Sequence, residues 1–93
     1  MKKLTFKSVW DALEDPAESV ANMRIRADLM LAVQDHVHRS ETTQAQAAKQ
    51  LGITQPRLND LLRGRIGKFS VDALVIMLAK VGKQVSIKVR NAA

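Results

Sequence analysis

The stretch whose reading decides the fold is Thr43-Gln-Ala-Gln-Ala-Ala-Lys-Gln-Leu-Gly-Ile-Thr-Gln-Pro-Arg-Leu-Asn-Asp-Leu-Leu-Arg-Gly-Arg65. Its first part, Gln44 to Leu51, is alanine-rich and is preceded by Thr43, whose hydroxyl can accept from an N–H of the first helical turn. Gly52 follows as the residue just past a helix end, where a positive φ is cheapest for glycine. Ile53-Thr54 completes a tight turn, and Thr54 offers a cap for a second helix through Arg63 with Pro56 in its first turn. The residue before a proline is disfavoured in the α region, so Gln55 competes with Thr54 for the cap position. Ala47 and Ala48 are small where the two helices must approach, Leu51 and Ile53 close the apolar corner, and Leu58, Leu61 and Leu62 share one face of the second helix.

Two short helices joined by a glycine turn form a helix-turn-helix unit, whose second helix can lie in a DNA major groove. The face opposite the leucines carries Pro56, Asp60 and Arg63, flanked by Asn59 and Arg57, with Gln55 at the leading end. Gln or Asn can pair bidentately with adenine and Arg with guanine, so Gln55, Arg57 and Asn59 are the candidate base readers. Asp60 would be repelled by phosphates unless it accepts from cytosine N4 or pairs with Arg57 or Arg63 one turn away, and the pairing is its expected role. Thr43, Gln44 and Thr54, at the two helix N-termini, are the candidate phosphate ligands, joined by Arg63, Arg65 and Lys68 around the following loop.

The flanks are read outward from this unit. Asp15-Pro16 has the pattern of a cap followed by the first helical residue, opening a helix to about His38 with a break near Asn22. Ile25, Leu29, Val33 and Val37 recur at i+4 and supply its buried stripe, and Met23, Met30 and Met77 fall at core spacing. Ser70 caps a last helix from Val71 to about Val81, with Asp72 at the positive end of its dipole. After Gly82 the period changes to two: Val85, Ile87 and Val89 alternate with Ser86, Lys88 and Arg90, predicting a half-exposed strand over Lys83 to Arg90. A lone strand is unstable, so this one should pair with Leu4 to Lys7, with its counterpart in a second copy, or with a partner protein. Ser8 could cap a helical turn from Val9 to Leu13.

Length and charge agree with one small domain that meets a polyanion. Ninety-three residues, 46% hydrophobic and 26% charged, can bury one core. The net charge is +6. Residues 1–40 carry six basic and six acidic groups, whereas residues 41–93 carry nine basic groups against Glu41, Asp60 and Asp72. A basic half suggests phosphate neutralisation with counterion release. The longest apolar run, Ala73 to Ala79, is far short of the roughly 20 residues that span a bilayer. Lys7 and Asp11 interrupt what would be a signal peptide's apolar segment, so a cytoplasmic, nucleoid-associated location is expected. There is no cysteine for a disulfide, thiolate metal site or nucleophile. His36 and His38, at i, i+2, point apart on a helix and cannot chelate one metal. Gly64-x-x-Gly67 lacks the Lys-Ser/Thr of a P-loop, and no catalytic grouping, metal or cofactor site is expected.

Thr-Gln-Ala-x-x-Ala-x-x-Leu-Gly-Ile-Thr-Gln-Pro-Arg-Leu-x-x-Leu-Leu-Arg-Gly resembles the Xre-type helix-turn-helix of lambda-like phage repressors. Ser-Val-Trp-Asp-Ala-Leu-Glu-Asp near the start, Asn-Met-Arg-Ile-Arg-Ala-Asp-Leu-Met before the unit and Phe-Ser-Val-Asp-Ala-Leu-Val-x-Met-Leu after it are similar to HigA-like antitoxins of toxin–antitoxin systems. The likeness covers about residues 8–89. It implies a mainly α, lambda-repressor-like bundle with a short C-terminal strand, phosphate contact by Gln44 and base contact by Gln55, Arg57 and Asn59. Pro56 stands where some relatives have a polar base reader. The expected division is an N-terminal extension over 1–21, the helix-turn-helix domain over 22–82, and a strand and tail over 83–93. The implied function is a homodimeric repressor of a palindromic DNA operator, an antitoxin that also neutralises a RelE/HigB-like toxin. The alternatives are a stand-alone prophage-type regulator and, from another class, an RNA-binding adaptor.

Overall fold

A computed structural model describes residues 16–91 of the chain, and among these residues it is built from four α-helices and one 3₁₀ turn. The expected pieces at Leu4 to Lys7 and Ser8 to Leu13, and the Asp15 cap, lie outside the described residues. Helix α1 spans Pro16–Arg39 and runs through Asn22 without the expected break. Asparagine costs only a fraction of a kcal/mol in a helix interior, about 0.7 at most, and no glycine or proline lies nearby to interrupt the ladder. Met30 and Val33 are buried, with Leu29 and Val37 packed beside them. Ile25 is instead half-exposed, as is Met23. Each i+4 step advances the helix by about 40° beyond a full turn, so Ile25 lies well off the face centred on Val33.

Helix α2 (Gln44–Leu51) and helix α3 (Gln55–Leu62) follow as the expected pair. The Thr43 hydroxyl accepts from the Gln46 N–H at 3.1 Å, and Thr54 accepts from the Arg57 N–H at 3.3 Å. Thr54 is therefore the cap, and Gln55 is helical despite preceding Pro56. Pro56 sits in the first turn, where its missing N–H has no helical carbonyl to serve. Gly52 takes φ +77°, and the Gly52 and Ile53 N–H groups donate to Lys49 and Ala48, which closes α2. The same bonding pattern ends α3 around Gly64 at φ +74°: Gly64 donates to Leu61 and Arg65 to Asp60. That reversal makes Arg63 the cap rather than a helical residue.

A 3₁₀ turn over Ile66–Lys68 leads to buried Phe69, and Ser70 accepts from the Ala73 N–H to cap helix α4, Val71–Lys80. The core is shared by all four helices: Met30 and Val33 meet Ala47, Ala48, Leu51, Leu58, Leu61, Leu74, Met77 and Leu78, with Phe69 completing it. Beyond Gly82 the expected strand is not present. Residues 83–91 make no ladder, Val85 leans on the core, and Ile87 and Val89 stand exposed. A strand is defined by hydrogen bonds to a neighbour, and no other extended segment lies alongside among the described residues.

Candidate nucleic-acid interface

Two capped helix N-termini and one loop define the candidate surface. Thr43 and Gln44 begin α2, Thr54 and Gln55 begin α3, and all four side chains are exposed. Each cap satisfies one N–H of its first turn, which leaves the others oriented outward with the positive end of the helix dipole. On α3, Leu58 and Leu61 are completely buried while Gln55, Pro56 and Asn59 face solvent. Burying the two leucines fixes which side of the helix is presented. Arg63, Arg65 and Lys68 are exposed on the loop that follows.

Asp60 departs from expectation. Its carboxylate pairs with Arg65 Nη1 and Lys68 Nζ, each at 3.5 Å, and with neither Arg57 nor Arg63. The cause is the reversal at Gly64, which returns the chain over α3 and sets Arg65 and Lys68 beside Asp60. Arg63 sits at the helix end itself, and Arg57 is engaged elsewhere. The Arg57 guanidinium stacks 4.5 Å from the Phe69 ring centroid and donates through Nη1 to the Lys68 carbonyl at 3.3 Å. Arg57 is half-buried, unlike Gln55 and Asn59. Of the three base-reader candidates, it alone is held against the loop.

Three residues with positioning roles were not apparent from the sequence. Phe69 is the platform for Arg57. Gln34 on α1 donates to the Leu61 carbonyl at 2.8 Å, at the end of α3, and Arg26 on α1 donates to the Ile66 carbonyl at 3.4 Å. Both tie the long helix to the end of α3 and its loop, which fixes the presentation of the exposed face. The signal for Gln34 and Arg26 was their place beside the α1 stripe, where a polar side chain must find a partner. Among the described residues, the buried Arg26 Nε has no hydrogen-bond acceptor.

Among the described residues, no group of acidic, histidine or cysteine side chains is placed to hold a metal ion. No described helix is long and apolar enough to cross a membrane.

Comparison with known proteins agrees with this geometry. No curated protein matches the chain. A solved structure assigned as an XRE family transcriptional regulator superposes with a TM-score of 0.72 at 28% identity, over 80% of this chain and 83% of that one. The profile of the helix-turn-helix domain matches residues 12–90, which takes in every element described above. The chain belongs to the helix-turn-helix domain family.

Proposed function

We propose that the protein is a sequence-specific DNA-binding transcriptional repressor that acts as a homodimer on a palindromic operator. The observation that carries this reading is the exposed face of α3, where Gln55 and Asn59 stand free beside Arg63, Arg65 and Lys68 while Leu58 and Leu61 on the opposite face are completely buried. Gln55, Arg57 and Asn59 read base edges, and Thr43, Gln44, Thr54, Arg63, Arg65 and Lys68 engage phosphates. Arg57 reads from a stacked position on Phe69, a geometry that restricts its rotamers before DNA arrives. The protein works in the cytoplasm, on the nucleoid.

The test is fluorescence anisotropy on the duplex upstream of the protein's own gene and on a shuffled duplex of equal composition, at two salt concentrations. Specific binding tighter than shuffled by about a thousandfold or more is expected, with both affinities falling as salt rises. Equal affinity for the two duplexes contradicts the reading.

The finer proposal is an antitoxin that represses its own operon and neutralises a RelE/HigB-like toxin. Val20, Met23 and Leu31, which lie along one side of α1 and are 55%, 44% and 61% exposed, favour a protein partner in addition to DNA. A basic RelE-like protein encoded next door, and its co-purification with this chain, would support it. A neighbourhood without such a gene favours the stand-alone prophage-type regulator.

A further inference from the structure

Residues 83–91 leave α4 as a segment rooted in the body at one end, with no ladder partner among the described residues. The Lys83 N–H ends α4 by donating to the Leu78 carbonyl at 2.9 Å, and Val85 packs against the core. Ile87 and Val89 follow on the same side of an extended chain and are 83% and 90% exposed. A groove between α1 and α4, lined by the apolar Ile25, Leu29, Val71 and Val75 together with Asp28, is walled on its other side by residues 85–88. Apolar residues repeated on one face, with backbone groups that have no ladder partner among the described residues, are a template for an added strand.

We propose that this segment is the seam of a homodimer, in which residues 83–91 of two copies pair antiparallel about a two-fold axis through Ile87. The proposal rests on the dimeric repressor reading and assigns its interface. The pattern of charges selects a second copy as the occupant. With the axis at Ile87, Val85 lies opposite the partner's Val89 and the two Ile87 side chains lie opposite each other. Lys88 then faces the partner's Ser86, and Arg90 faces the partner's Gln84. Every apolar side chain meets an apolar one and no cation meets a cation. An axis at Lys88 sets two ammonium groups against each other, and an axis at Ser86 sets Val89 against the partner's Lys83. A slip of half that step turns the apolar face of one strand to the polar face of the other. Two strands alone are marginal in water, and the α1–α4 groove beside Val85 supplies the apolar support they need.

The chain contains no cysteine, so single substitutions report the register directly. Directly opposite residues in an antiparallel pair lie within disulfide range. Under mild oxidation Ile87→Cys should form a covalent dimer at least about tenfold faster than Ser86→Cys or Lys88→Cys, whose own copies are diagonal in this register. By sedimentation, the wild type should be a dimer at micromolar concentration. Ile87→Asp, which sets two carboxylates together on the axis, should raise the dimer dissociation constant by at least about tenfold. Ile87 is almost wholly exposed in one copy, so Ile87→Asp should keep the wild-type helical circular dichroism. A monomeric wild type, an Ile87→Asp variant that dimerises normally, or faster cross-linking at position 86 or 88 each overturns the proposal. Duplex binding measured on the same samples separates the two readings. A monomer that recognises its operator defeats the seam and the homodimer but leaves the DNA-binding reading standing, and a dimer that ignores duplex DNA defeats the DNA reading alone.

Discussion

Residues 43–68 and residues 83–91 carry sequence patterns of similar regularity, yet among the described residues only the first finds its hydrogen-bond partners. In the helix-turn-helix every decisive bond is made nearby: Thr43 to Gln46, Thr54 to Arg57, and the turn N–H groups to carbonyls three and five residues back. In the C-terminal segment the alternation Val85, Ile87, Val89 prepares a face, but the bonds that would make it a strand must come from another chain segment. A helix is specified by its own residues, whereas a strand is specified only in part by its own and otherwise by its neighbour.

The comparison is broken most easily through stability. Leu58→Ala, at a completely buried position in α3, should cost about 2–5 kcal/mol in chemical denaturation. Val89→Ala, at 90% exposure, should stay within about 0.5 kcal/mol when the protein is dilute enough to be monomeric. A comparable loss for the two would mean that the tail is closed within one copy after all.

Binding sharpens the contrast within the first region. Arg57→Ala should cost about 1–3 kcal/mol on the operator and relax sequence preference, whereas Arg65→Ala should weaken all duplexes alike and reduce the salt slope by about 1. Anisotropy titrations at several salt concentrations check both. Because Arg57 also stacks on Phe69, its removal should lower stability by about 0.5–1 kcal/mol, visible in a thermal melt. Removing the cap in Thr54→Ala should lower stability by about 1 kcal/mol, with Thr54→Ser restoring most of it.

The smallest effect concerns Asp60, whose carboxylate occupies Arg65 and Lys68. Partly exposed pairs of this kind are worth at most about 1 kcal/mol each. Asp60→Asn should therefore free two cations for phosphate, tighten binding to random duplex a few-fold and steepen its salt dependence. Weaker binding instead would identify Asp60 as a brace for the loop.

What was legible in the sequence follows the same division. The caps Thr43 and Ser70 and the helix end at Gly52 could be read because their chemistry lies within a few residues, whereas the second cap was left between Thr54 and Gln55 and the helix end before Gly64 was placed one residue late. The buried leucines of α3 were equally plain, since 3.6-residue periodicity decides a helix face. Ile25 was misread because an i+4 stripe drifts around the helix and carries this outer member off the core. The partners of Asp60 depended on where the chain returns after Gly64, a matter of tertiary path. The bonds from Gln34 to the Leu61 carbonyl and from Arg26 to the Ile66 carbonyl end on main-chain oxygens, which every residue carries, so the place of these side chains beside the stripe signalled a need for partners but not which ones. Arg57 was read as a base reader and as a candidate partner of Asp60, and only the fold shows Phe69 beneath it.

The central claim, that the exposed face of α3 reads base sequence, is tested most directly by the double variant Gln55→Ala with Asn59→Ala, titrated against operator and shuffled duplexes. Both side chains are exposed, so the variant should melt like the wild type. Operator affinity is predicted to fall by about 2 kcal/mol or more while affinity for the shuffled duplex stays unchanged. Equal losses on the two duplexes, or none on either, would contradict the claim.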